Sequence, residues 1–108
     1  MNEPMSRDEK YASTWGTPVG QDCISLDCTL CKWLGERMIF LSEHGNGYPE
    51  DYSYESWRGR LAQHGYALIA YHDHWQNPSK DDTPTVDYHL RAQSAMLFVA
   101  QNLGHFWD

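Results

Sequence analysis

The chain contains no apolar run that approaches the ~20 residues needed to cross a bilayer, and no membrane partner is expected from it. It is also short of positive charge. Eight Lys and Arg stand against fifteen Asp and Glu, a net charge of −7. A chain of that sign is repelled by phosphate backbones and anionic lipid surfaces, which argues against direct binding to a nucleic-acid backbone. Cysteine is scarce and odd in number: Cys23, Cys28 and Cys31. The first ten residues, Met1 to Lys10, are polar and charged and lack the core of a signal peptide, so the expected location is cytoplasmic. In that compartment three cysteines read as thiols, metal ligands or redox groups rather than a disulfide framework. Convincing strand-like alternation, internal repeats and low-complexity tracts are missing too, which leaves helices to carry the fold.

What is present is a single domain's worth of sequence, 108 residues, with an aromatic content of 14%. That length can bury a core without disulfides, metals or oligomerisation. Five Trp and seven Tyr exceed the needs of a small core. Large amphipathic rings either wedge between helices or lie where a partner covers them.

Residues 1–24 keep no sustained period and are punctuated by Gly16, Pro18 and Gly20, so an irregular arm is expected, with a short helical turn at most and Trp15 pinning it to the body. Residues 25–108 form the expected helical domain. A first helix is predicted over about 26–43, capped by Ser25 or Asp27, with Leu30, Leu34, Met38 and Leu41 as its apolar stripe and Trp33 and Ile39 beside it. His44-Gly45-Asn46-Gly47 ends it, through residues that tolerate a left-handed backbone, and Pro49 blocks its continuation. A second helix is predicted over about 53–74, with a seam of Trp57, Leu61, His64, Leu68 and Tyr71, closed by Pro78. Asp82-Thr83-Pro84 opens a third over about 84–103, whose apolar side is Val86, Leu90, Leu97 and neighbouring Ala and Phe; Gly104 ends it, and His105 to Asp108 form a tail that can fold back. Short connections favour antiparallel neighbours. The expected fold is all-α, an antiparallel up-down-up three-helix bundle, as one chain or closed across a homodimer.

That topology gathers residues with chemistry at one end of the bundle. The first helix starts near Cys28, the second ends near His74 and the third starts near Pro84, which places Cys23, Cys28, Cys31, His72, Asp73, His74, Asp81, Asp82, Asp87 and His89 in one neighbourhood. Zinc prefers thiolate and imidazole in tetrahedral sets. Cys28 and Cys31, three apart at a helix start, with His72 and His74 make the candidate set, and Cys23 and His89 are alternates. Residues two apart on a helix face nearly opposite sides, so one of His72 and His74 is expected to reach such a site. A Cys-x-x-Cys at a helix N-terminus also gains thiolate character, but the redox motif ordinarily follows a strand, and none precedes it here.

Three short stretches resemble known families. Cys28-Thr29-Leu30-Cys31 resembles part of the nitrile hydratase metal motif, whose further cysteine falls on Trp33. Asp87 to Ala100 resembles the last helix of phage-type relatives of the MazG-like nucleotide pyrophosphohydrolases. That resemblance implies magnesium held by carboxylates, for which Glu36 and Glu43 share a face, although the paired Glu-x-x-Glu signature is missing. Arg58 and His64 have the spacing of HEPN ribonucleases, with Gly59 where that family has a polar residue.

The segment between the first two helices differs in character. Glu43, Glu50, Asp51 and Glu55 alternate with Tyr48, Tyr52 and Tyr54, and no Lys or Arg intervenes. Spaced carboxylates with aromatic rings suit a basic protein surface. Since no complete set of nucleophile, base and orienting partner can be named, the expected function is a small acidic helical protein-binding module. It reads as a regulator or inhibitor of the kind that mobile elements encode, occupying a basic surface of a larger protein. The alternative is a zinc-type Cys/His protein or a metal-dependent hydrolase acting on a nucleotide.

Overall fold

A computed structural model of the chain describes residues 6–77 and 84–107. It is all-α. The elements are α1 (Arg7–Thr14), α2 (Pro18–Cys23), α3 (Leu26–His44), α4 (Tyr54–Gln76), α5 (Thr85–Gln101) and a 3-10 turn over Leu103–His105. The three long helices fall where the periodicity puts them. The arm holds more helix than its glycines and proline suggest, because Ser6 and Glu9 close a reciprocal capping box on α1 and Thr17 caps α2 ahead of Pro18. No side chain of α1 is buried and Trp15 is exposed, so the arm is not pinned by that ring.

Helix α4 is the hub, with α3 and α5 each packed on it. Both neighbours run antiparallel to it. The Tyr54 hydroxyl at the start of α4 donates to the Gly45 carbonyl just past α3, and Tyr71 near its end reaches Asp27 at the start of α3. On the other side His74 meets Thr85 and Tyr88, while Trp57 meets Phe98 and Phe106. The tail folds back as expected, with Phe106 edge-on to both Trp57 and Phe98. Ser53 caps α4 by accepting from Ser56 N–H, whereas Ser25 stands before α3 without a side-chain cap bond. Gly45 ends α3 in extended backbone at φ −72° rather than the left-handed conformation. Helix α5 ends at Gln101, before Gly104, which falls inside the 3-10 turn. Pro78 and Asp82-Thr83 lie outside the described residues.

The core is Met38, Trp57, Leu61, Leu68, Tyr71, Tyr88, Ala92, Ala95 and Phe98, with Cys28 and Cys31 at one end. Met38, Leu61 and Leu68 are the largest fully buried side chains, each contributing about 1.5–3 kcal/mol by leaving water. The α4 seam is as predicted apart from His64, which is half-buried and stacks on Phe98 at 4.4 Å.

The faces of α3 and α5 depart from expectation. Helix α3 meets α4 through Cys28, Cys31, Gly35, Met38 and Ser42, and α5 meets it through Tyr88, Ala92, Ala95 and Phe98. Leu30 and Trp33 are exposed, and Leu34 and Leu41 are half-buried. Val86, Leu90 and Leu97, expected in the core, face outward. For α3 the reason is its close approach to α4 at Gly35 and Gly65, which favours small residues at that crossing.

Candidate functional site

The start of α3, the end of α4 and the start of α5 meet at one end of the bundle. Tyr71 donates its hydroxyl to Asp27, and the His89 ring stands edge-on to Tyr71 at 5.3 Å. That hydrogen bond holds the Asp27 carboxyl below the usual carboxylate range. Burial, aided by the neighbouring carboxylate, pushes the Tyr71 phenol up to about 12. His74 faces inward and is buried, stacked on Tyr88 at 4.3 Å with Nε2 at 3.0 Å from the Thr85 hydroxyl oxygen. Its Nδ1 has no hydrogen-bond partner among the described residues. His72 points elsewhere and pairs with Asp73 at 3.0 Å.

The cysteines do not share a common environment. Cys23 is exposed, while Cys28 and Cys31 are buried against the α4 side of the bundle. Burial raises the Cys28 thiol and pushes Cys31 up to about 11, the Asp27 charge adding to both. Such thiols are protonated at neutral pH, the reverse of the activation a redox pair requires. Among the described residues no three of His, Cys, Asp and Glu converge closely enough to hold a metal ion. Cys28, Cys31, His72 and His74 are therefore not brought together as a ligand set, and neither alternate, Cys23 or His89, completes one. Asp81 and Asp82 lie outside the described residues. Between α3 and α5 this end opens into a cavity of about 310 Å³, walled by Leu30, Cys31, Ala92 and Met96 with Asp27 at its edge.

The nuclease pair is separated. Arg58 turns toward α3, where its Nε donates to the Ser42 carbonyl and its guanidinium lies 5.2 Å from the Tyr54 ring. His64 turns toward α5, and burial together with the Arg60 charge lowers its pKa. Glu36 and Glu43 are both exposed on α3.

The opposite end carries the acidic loop. Glu43, Glu50, Asp51 and Glu55 are all exposed. Tyr48 and Tyr54 are exposed and meet edge to face at 6.0 Å. The third tyrosine behaves differently: Tyr52 is half-buried, with its ring 5.3 Å from Trp57. Together with buried Gly45 and Pro49 and the Tyr54 bond to Gly45, it fixes the loop against the body. Among the described residues the side-chain contacts between a carboxylate and a basic group within 4 Å are Glu43 with His44 and Asp73 with His72. Among the described residues no Lys or Arg forms an ion pair with a carboxylate of the loop, and Arg58 lines the same hollow as Glu43 and Glu55.

The chain matches no protein-family model, and comparison with curated proteins and with solved structures finds no similar protein. Function is therefore argued from the geometry. Sequence reasoning missed the outward apolar residues of α3 and α5. Gly35 and Gly65 inside the helical pattern were an available signal, although Gly59 has the same local pattern and meets nothing.

Proposed function

We propose that the chain is a small acidic protein-binding module that docks the loop between α3 and α4 onto a basic surface of a larger protein, as a regulator or inhibitor of mobile-element type. The observation that carries this reading is the loop itself. Four exposed carboxylates, none in an ion pair with Lys or Arg among the described residues, are interleaved with two exposed tyrosines on a loop anchored by Tyr52, Pro49 and the Tyr54 hydrogen bond. An excess of negative charge on a fixed scaffold steers association and loses little conformational freedom when it docks. Tyr48 and Tyr54 supply the aromatic contact that protein interfaces favour. The surplus of exposed Trp supports the same reading: Trp57 is buried, while Trp15, Trp33, Trp75 and Trp107 are exposed.

The test is a photo-cross-linking residue placed at Tyr48. The reading expects a discrete adduct whose attachment point lies among Lys and Arg residues of the captured protein. It also expects E43Q/E50Q/D51N/E55Q to lose that adduct while keeping wild-type helicity. An adduct that persists in the neutralised variant, or one attached within an acidic or uncharged surface, would contradict it.

A further inference from the structure

We propose that two copies of this chain pair antiparallel through the outward face of α3. Leu26, Leu30, Trp33, Arg37, Phe40 and His44 recur at the alternating four- and three-residue spacing of a coiled-coil seam. The face opposite them, Cys28 to Ser42, is the one already packed on α4. Leu26, Leu30, Trp33 and Phe40 are between 44% and 61% exposed. Helix α3 is thus apolar on both sides, a pattern that belongs inside a larger assembly.

A second copy is singled out by the order of residues along the stripe. A two-fold axis at the level of Gly35 sets Leu30 against Phe40 of the second copy, Trp33 against its Arg37 and Leu26 against its His44. Each pairing is made twice, as an isologous interface requires. The guanidinium of Arg37 already lies over the Trp33 ring of its own helix at 4.2 Å, and in the pair it is flanked by a second indole face. A parallel pair would instead set Arg37 against Arg37. The seam holds no carboxylate, although the chain carries a net charge of −7, so the acid that would drive copies apart lies beside the seam. The exposed parts of these six side chains amount to roughly 600 Å² per copy. Two copies then bury on the order of 1,200 Å², the lower bound of a stable interface. The dimer is accordingly reversible, forming as concentration rises. The two Glu36 side chains flank the axis together and are its one unfavourable pair.

The arrangement leaves the acidic loops free, one at each end of the paired helices and about 28 Å apart along them. The pairing stands independently of the loop's proposed role.

Sedimentation equilibrium of the full chain, from micromolar to near-millimolar concentration, tests it. The mass is expected to rise from one chain to two. L30E/F40E is expected to stay monomeric with unchanged helicity, since both residues are exposed in the single copy, and E36Q is expected to lower the dimer Kd several-fold. In a C23S background, a short bis-maleimide is expected to join E36C to itself and to leave L26C unjoined. A single-chain mass at every concentration, a dimer that survives L30E/F40E, or cross-linking of L26C in preference to E36C would overturn the proposal.

Discussion

Gly35 of α3 and Gly65 of α4 lie against one another where the two helices cross. A methyl group built on Gly35 would stand 2.7 Å from the Gly65 carbonyl oxygen, and one on Gly65 would stand 3.0 Å from the Gly35 carbonyl oxygen. At Gly35 the nearest obstacle is backbone, which no side-chain rotation removes, and at Gly65 the Ile39 side chain stands closer still, at 2.9 Å. This crossing sets which face of α3 is inside and sends the larger apolar residues outward.

Substitution at the crossing is therefore expected to destabilise the bundle. Gly35→Ala and Gly65→Ala should each cost about 1–3 kcal/mol by overpacking, measured by urea unfolding. Gly59 is the internal control: it lies in the same α4, and a methyl there meets nothing within 4 Å. Gly59→Ala should stabilise by about 0.5–1 kcal/mol through helix propensity alone. Equal effects at Gly35 and Gly59 would rule out the close crossing.

His64 makes stability depend on pH. Burial holds its native pKa below the ordinary value, so between that native value and about 6.5 the unfolded chain binds more protons than the folded one. Stability should rise with pH across this window, be fully present above it, and fall as pH drops toward the native value. Denaturant midpoints measured across mildly acidic to neutral pH should show that slope, and His64→Gln should flatten it. An unchanged slope in the variant would assign the dependence to another group.

The three thiols should differ in reactivity. Cys23 is exposed, whereas Cys28 and Cys31 are buried with raised pKa values, Cys31 to about 11. A thiol reagent at neutral pH should titrate one group rapidly in the native protein and all three after unfolding. Fast modification of Cys31 in the folded chain would contradict its protected, protonated state.

The long helices were legible because each is punctuated by chemistry that acts locally: Gly45 and Pro49 after α3, Ser53 before α4 and Pro84 before α5. Which side of each helix faces inward was not. Reading hydropathy along α3 selects Leu30, Leu34, Met38 and Leu41, yet only Met38 of these is buried, and the rest of the contact with α4 is made by Cys28, Cys31, Gly35 and Ser42, residues too small to register as a stripe. In α5 the packed face is Tyr88, Ala92, Ala95 and Phe98, and Leu90 and Leu97 lie outside it. Close helix approach rewards small volume, a quantity hydropathy does not weigh. At the candidate sites, the shared end of His74 and His89 follows from topology, whereas the Tyr71 bond to Asp27 was not foreseen, since Asp27 reads as a helix cap and Tyr71 as a seam residue. The separation of His72 from His74 follows from helical geometry, and the structure places His74 inward. The inward turn of Tyr52 onto Trp57 carries no local sequence signal, since nothing nearby distinguishes it from Tyr48 or Tyr54.

The most direct test of the proposed function is the salt dependence of affinity between the chain and the protein captured from Tyr48. A complex held by the loop's four carboxylates should weaken steeply as ionic strength rises, because salt screens the attraction between exposed charges of opposite sign. E43Q/E50Q/D51N/E55Q should bind weakly at every salt concentration, with a flattened dependence. An affinity indifferent to salt, and equal in the wild-type and neutralised chains, would contradict the proposal that this acidic loop recognises a basic surface.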